Sequence, residues 1–325
     1  MYASAQISHE HVQYPTMTTE FERIRSLSTI FGKPTRCVSL GIGDDAALVE
    51  PPKDGQLVWT IDACVENIHF RSDMLSWNDV GYRSFMAAAS DIAAMAASPI
   101  GTLCSVSIPK SATDDILWAI ADGQNCAAKE IDTPIVGGNL SACDTVVLST
   151  TVLGKSTHSP CRHGAKPGDV IALCGEVGIA AAGLMLLLRN PTHAASNRAE
   201  SEALTAWRRP RAKISEGLLC ERATSLIDVS DGLIQDADHI ASASHVRMRI
   251  SSESLITESL RSVAHVLDVD AKHLALSGGE DYALLGTFAD ARVPDGFIII
   301  GVCERGSGVF IDGEPAQIDG HDHFR

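Results

Sequence analysis

No CxxC pair occurs in this chain, and its nine cysteines are odd in number. Neither a zinc knuckle nor a disulfide framework is therefore indicated, and cysteines set among Val, Leu, Ala and Ser act as small apolar fillers in a reducing cytoplasm. Cations are scarce: 26 Lys+Arg stand against 41 Asp+Glu, a formal charge of −15. That deficit argues against nucleic acid or an anionic membrane surface as the main partner, because both repel it. It leaves room for a divalent cation and for a phosphate ligand carried by one. Long apolar runs are missing too. The most apolar stretch, Val170 to Leu188, is broken by Gly175, Glu176 and Gly178 and predicts strand, turn and helix, with no membrane span. The opening MYASAQISHEHVQYPTMTTE has neither a basic start nor an apolar core, so it is not expected to be a signal peptide. No GxxxxGK[ST] occurs, which excludes a P-loop; internal repeats and low-complexity tracts are absent as well.

What is present is 325 residues, 45% of them apolar, enough for two domains with real cores. Thr19 can cap a helix running to Phe31, and strands are expected at Ala46–Val49 and Leu57–Ile61. Ser76 with Asp79 resembles a capping box and opens an Ala-rich helix expected to reach Ala97 before Pro99. A strand Thr102–Ile108, a helix capped by Thr113, and strands at Pro134–Val136 and Thr145–Leu153 complete an α+β half. The Gly-, Pro- and Ser-rich segment Gly154–Gly168 marks the boundary. The expected organisation is a polar leader 1–18, an N-terminal domain 19–154 and a C-terminal domain 155–325. In the latter, strand Asp169–Cys174, helix Val177–Arg189, a helix starting at Pro210, strand Ser225–Asp228, helix Leu233–Ser244 and strands near Tyr282–Phe288, Phe297–Val302 and Val309–Ile311 are predicted.

Acidic or Gly-rich clusters recur: GIGDDAA (Gly41–Ala47), TIDACVENIHF (Thr60–Phe70), ASDIAAM (Ala89–Met95), DVSDGL (Asp228–Leu233) and SGGEDYALL (Ser277–Leu285). Any one of them is also ordinary turn or cap chemistry. Asp91 is harder to explain that way, since Ala87, Ala88, Ala94 and Met95 share its helix face and an unpaired charge there is costly. It is either a partly solvated edge residue or a metal ligand. Asp228 ends an apolar strand, with Ser230 and Asp231 at the next helix start, which makes either a capped turn or a hard-cation site. Gly41, Gly43 and Ala46 fit a dinucleotide fingerprint formally, but Asp44 and Asp45 would repel a pyrophosphate. Gly137, Gly138 and Asn139 follow an apolar run and form either a hairpin turn or a backbone cradle for phosphate, with Arg162 and Lys166 the nearest obvious cations. His69 in ENIHF fits a satisfied strand histidine, and the terminal HDHF fits a surface tail.

Read in order, these motifs together with YRSFMAAASDIAAMAA, IVGGNLS, RHGAKPGD, DVSDGLIQDADHIASAS and IIGVCERGSGVFIDG resemble the thiamine-monophosphate kinases, of the aminoimidazole-ribonucleotide-synthetase-like superfamily. The resemblance implies an N-terminal α+β domain whose sheet pairs with a second subunit's to form a barrel across a homodimer, and a C-terminal α/β domain. It implies transfer of phosphate from ATP to thiamine monophosphate, assisted by several Mg²⁺ ions. Metal positions of the family fall on Asp45, Asp62, Asp91, Asp228 and Asp231, with an oxygen from Thr60 or Ile61. Gly138, Asn139, Arg162 and Ser230 fall where the family holds ATP, and His69, Glu280 and an aromatic near the terminus, Phe324, where it holds thiamine phosphate. Asp91, Asp231 and Arg162 are the expected catalytic residues. Asn139 replaces an aspartate common in the family, and Ile61 replaces a hydroxyl residue. Superfamily cousins fit less well: the chain ends HDHFR, without a cysteine tail, and its leader has no reactive Cys. The alternatives are another ATP-dependent enzyme of the same superfamily, aminoimidazole-ribonucleotide-synthetase-like, and, from another class, a non-catalytic acidic metal-binding module.

Overall fold

Residues 19–33, 37–42 and 46–317 are described by a computed structural model. Asp45, Phe324, the leader and the HDHF tail lie outside the described residues.

Helix α1 (Glu20–Phe31) opens on a reciprocal capping box, Thr19 Oγ1 accepting from Glu22 N and Glu22 returning to Thr19 N. Short strands β1 (Val38–Leu40) and β2 (Leu48–Val49) pair antiparallel. A four-stranded sheet follows in the order β3-β6-β4-β5, built from β3 (Gln56–Val65), β4 (Ser98–Ile108), β5 (Ile135–Ala142) and β6 (Val147–Ser156). Its β3–β6 and β4–β6 pairs are antiparallel and β4–β5 is parallel.

Helices α2 (Trp77–Ala94) and α3 (Asp114–Glu130) lie together, α2 against β3 and β6. Their approach depends on a reciprocal pair of glycines. A Cβ on Gly81 would sit 2.0 Å from the Ile120 carbonyl oxygen, and one on Gly123 1.9 Å from that of Asn78. Ser76 Oγ accepts from Asp79 N and donates to the Asp79 carboxylate, whereas Thr113 makes no side-chain cap. Helix α2 stops at Ala94, short of the expected Ala97, because the chain turns at Ala96 with φ 48° and enters β4, which takes in Pro99.

The second half is a seven-stranded sheet in the order β13-β12-β9-β11-β7-β10-β8. Its strands are β7 (Val170–Cys174), β8 (Ser225–Val229), β9 (Val246–Ile250), β10 (Ala283–Phe288), β11 (Phe297–Arg305), β12 (Gly308–Ile311) and β13 (Glu314–Pro315). Every pairing in it is antiparallel except β9–β12. It is thus a mixed sheet, and the expected α/β half is better described as α+β: β7, β10 and β11 meet by antiparallel pairing, not through crossover helices. Helices α4 (Ile179–Arg189), α5 (Arg198–Arg208), α6 (Ile214–Leu218), α7 (Leu233–Ser244), α8 (Glu258–Leu267) and α9 (Ala271–Ser277) accompany it. Pro210 lies in the connection between α5 and α6 and starts neither.

The two halves share a core. Ala88, Ile92 and Ala93 of α2 pack with Ala172, Cys174, Leu226 and Leu284 of the larger sheet. An Ala-rich helix fits this role, since small side chains let two layers approach α2 at once. No described residue covers the Leu57, Trp59 and Ile61 row on the opposite face of the small sheet. Leu57, Trp59 and Ile61 alternate along β3 and are 50%, 71% and 68% exposed, with Leu103 of β4 exposed two strands away, across β6. Each sheet is open among the described residues. No described helix is long and apolar enough to cross a membrane.

Candidate functional site

A cavity of about 620 Å³ opens between α2, the end of β3, α4, and the loops after β8 and α9. Its lining includes Ile61, Asp62, His69, Asp91, Asp228, Ser230, Asp231 and Glu280, residues contributed by four separate sequence motifs.

Asp91 stands on the last turns of α2, and Asp228 near the end of β8. Thr60, one pleat before Ile61, turns toward α2 and its hydroxyl donates to Asp91 Oδ2. Ser90, fully buried, donates to Asp228 Oδ2 at 2.7 Å and so ties α2 to the larger sheet. Burial raises the Asp91 carboxyl above the usual aspartate range, opposed by the Thr60 hydroxyl and by Arg162. Burial, and then the neighbouring Asp91, push Asp228 up to about 6. Asp62, at the exposed end of β3, accepts from its neighbour Ala63 N at 2.7 Å.

The SDGL turn is held by a residue that motif reading did not single out. Asp236, on the first turn of α7, accepts from the backbone N–H groups of Ser230, Asp231 and Gly232 at 3.1, 3.1 and 3.2 Å. Burial, then repulsion from Asp228 and Asp231, lift its carboxyl to about 7 against those donors. Ligand atoms of Asp231, Asp236 and His239 lie within 4.8 Å of one another. The only signal in the sequence was an acidic residue one turn into a helix that follows an acidic loop.

The other end of the cavity is organised differently. Glu280 adopts φ 65° and its N–H donates to Ser230 O at 2.7 Å, while Tyr282 N donates to Val229 O at 2.9 Å. The SGGEDY loop is thereby stitched to the SDGL loop. Its Asp281 turns away and accepts from Gly178 N and Ala180 N, capping α4. His69 Nδ1 accepts from Val65 N at 3.0 Å, which fixes the ring at the mouth of the cavity. Ile68, Leu184, Leu188 and Trp207 supply apolar lining.

Arg162 is exposed, on the loop after β6. Its carbonyl accepts from the Ser225 and Ser244 hydroxyls, which anchor the loop, and its charge acts on both Asp91 and Asp228. Gly138 and Asn139 do not reach this cavity. They lie inside β5, at the edge of the small sheet opposite β3, and not in a turn after a strand. Gly138 has a structural reason of its own: a Cβ there would stand 1.8 Å from Cys104 O on β4.

Chemically, Asp62, Asp91, Asp228 and Asp231 offer only oxygen donors in a partly dry site whose carboxylates repel each other. That donor set suits a hard divalent cation and, through it, a phosphate.

Residues 43–156 match the family model "AIR synthase related protein, N-terminal domain". Over 258 residues the chain is 35% identical to thiamine-monophosphate kinase of Bacillus subtilis, covering 78% of each protein. Over 284 residues it is 37% identical to thiamine-monophosphate kinase of Mycobacterium tuberculosis H37Rv, covering 85% of this chain and 83% of that protein. Among solved structures, AaThiL complexed with AMPPCP and TMP superposes with a TM-score of 0.80 at 30% identity, over 95% of this chain and 99% of that one.

Proposed function

The chain belongs to the thiamine-monophosphate kinase family, and from that membership we propose that it transfers the terminal phosphoryl group of ATP to thiamine monophosphate, giving ADP and thiamine diphosphate. The observation that carries the proposal is the convergence of Asp62, Asp91, Asp228, Asp231, His69 and Glu280 on one cavity.

The acceptor is a phosphate monoester with a second pKa near ~6, so at neutral pH it is already a nucleophilic dianion. No general base is required. An acceptor phosphate oxygen forms the new bond to the γ-phosphorus as the bond to the β–γ bridging oxygen breaks and ADP leaves. The barrier is largely repulsion between anions, so positioning and charge screening are the tasks left to the protein. Asp62, Asp91, Asp228 and Asp231, with Asp45 and an oxygen of Thr60 or Ile61, would hold Mg²⁺, which when bound supplies charge neutralisation to the phosphoryl oxygens. Asp91 and Asp231 thus serve catalysis by fixing charge at the transfer site. Ser230 and Arg162 face the nucleotide phosphates, the exposed Arg162 side chain adding positive charge beside Asp91 and Asp228. His69 and Glu280 face the acceptor, and an aromatic residue near the terminus, Phe324, is assigned to its ring.

The uncovered row Leu57, Trp59, Ile61 and Leu103 supports a homodimer in which a second copy of the small sheet covers this face and closes a barrel. Gly138 and Asn139 belong to that same sheet and are assigned to the nucleotide side of the assembled site. The buried free thiols Cys64, Cys104, Cys174, Cys220 and Cys303 support a reducing, cytoplasmic setting.

The test is steady-state ADP release, expected with thiamine monophosphate and absent with thiamine. Release with thiamine, or none with the monophosphate, overturns the proposal. Incubation with γ-labelled ATP alone should leave the protein unlabelled; a covalent label would exclude direct transfer.

A further inference from the structure

Arg83 is a cation buried in an otherwise apolar stretch of α2, only 3% exposed. One guanidinium nitrogen, Nη2, pairs with Glu280 Oε1, and Nη1 donates to the Trp207 carbonyl. The guanidinium carbon also lies 5.0 Å from the centre of the Trp207 ring. Trp207, at the end of α5 and 2% exposed, donates through Nε1 to the other carboxylate oxygen, Glu280 Oε2, at 2.7 Å. Three segments distant in sequence therefore meet on one carboxylate, whose side chain keeps 33% of its surface open to the cavity.

This arrangement is more than structural satisfaction of a buried charge. A carboxylate accepts about four hydrogen bonds, so one contact per oxygen leaves each with a free lone pair. Arg83 and Trp207 approach from the protein side, and the open side faces the cavity. Glu280 sits on left-handed backbone in a loop bonded to the SDGL turn, so both its main chain and its carboxylate are fixed. Arg83 also offsets the Glu280 charge in a cavity already crowded with aspartates.

We propose that Arg83 and Trp207 are positioning residues for the acceptor: they clamp the Glu280 carboxylate so that its free lone pairs receive an N–H donor at the heteroaromatic end of thiamine monophosphate. The inference rests on the function proposed above. Preorganised contacts of this kind lower KM for one substrate and leave the chemistry of the other untouched.

The decisive variant is Trp207→Phe, which keeps the ring and the Arg83 stacking and deletes one N–H. Its KM for thiamine monophosphate should rise roughly tenfold, the loss of one hydrogen bond to a charged group. The KM for ATP, and kcat at saturating acceptor, should stay within about twofold of wild type on the same ground. In the Glu280→Gln background the same substitution should add little, because the carboxylate it orients is gone. Arg83→Lys should fall between wild type and Trp207→Phe in acceptor KM, retaining the charge and losing the fork. If Arg83 variants do not fold, Trp207→Phe still decides the matter. An unmoved acceptor KM, an equal rise in ATP KM, or full additivity with Glu280→Gln overturns the positioning role while wild-type turnover of thiamine monophosphate stands. Absence of that turnover in the wild type overturns the functional proposal instead, and this one with it.

Discussion

The two ends of the cavity treat carboxylates in opposite ways. At one end Asp91 and Asp228 repel each other, opposed by the Thr60 and Ser90 hydroxyls, a backbone N–H at Asp228 and the charge of Arg162, and Asp228 is still pushed up to about 6. At the other end Glu280 is matched atom for atom, one oxygen to Arg83 and one to Trp207. A protein that needed only to bury these acids would pair them all. Unrelieved repulsion at one end marks where positive charge has to arrive from outside, and internal pairing at the other marks where a contact must be ready before the ligand comes. The first costs stability in the absence of cation; the second costs mainly the ordering of two large side chains.

The strongest way to break this contrast is Asp231→Ala. If the acidic end carries the cations that screen the transferring phosphoryl group, kcat should fall on the order of a hundredfold to a thousandfold with the fold intact by circular dichroism. Full activity would remove Asp231 from the site and with it the argument for that end. A gentler version is Ser90→Ala, which leaves every carboxylate but deletes the hydroxyl holding Asp228 Oδ2. The Mg²⁺ concentration for half-maximal activity should rise about tenfold, the scale of losing a residue that orients a ligand. An unchanged Mg²⁺ requirement would mean that Asp228 needs no such orientation.

The pH dependence follows from the same groups. Asp228 and Asp236 rise from the ordinary 3.8 to about 6 and about 7 in the folded protein. Their folded forms bind protons more tightly than the unfolded chain, so their contribution to stability is fully present below about pH 4 and lost as pH rises through 6 and 7. In chelator, the melting temperature should therefore decline between pH 5 and pH 8. Mg²⁺ added at pH 8 should recover several degrees, because it binds the folded state alone. A flat profile in chelator, indifferent to Mg²⁺, would show that the acidic end carries no such strain.

Motif order made the acidic end legible in the sequence, because each aspartate sits in a short local signature: a strand end, a helix face of small residues, a turn before a helix. Asp62, Asp91, Asp228, Ser230 and Asp231 line one cavity. The paired end was not legible. Arg83 lies within a quoted motif and Trp207 in a polar stretch without one, and nothing local says that both reach the same carboxylate. Gly138 and Asn139 show the opposite failure, since two glycines after an apolar run look like a loop yet continue an edge strand that needs Gly138 to clear Cys104 O. Helix α8 carries Leu260, Val263, Ala264 and Leu267 at helical spacing and could have been predicted from that period alone. The uncovered face of β3 is visible as alternation in Leu57, Trp59 and Ile61, but alternation does not tell which face lacks a partner.

Glu200 provides the smallest test, and the cleanest control, because it is a buried carboxylate outside the cavity that is fully satisfied. It accepts from Ser196 N and Oγ at 2.8 Å each, from Asn197 Nδ2 at 3.0 Å, and meets His193 Nε2 at 3.0 Å. Those donors outweigh burial and bring its carboxyl down from 4.5 to about 2. The sign is the reverse of that for Asp228: its stabilisation is present above about pH 4.5 and disappears as pH falls toward 2. Replacement Glu200→Gln removes the charge but keeps the shape, and at pH 7 should cost roughly 1 kcal/mol in urea unfolding. The difference from wild type should shrink below about pH 4.5 and close only as the pH approaches 2. If the gap persists in acid, the loss is one of packing and not of charge. If Glu200→Gln instead stabilises the protein at pH 7, a carboxylate with a full set of donors is no better tolerated than Asp228, and the distinction between the two ends of the cavity loses its physical basis.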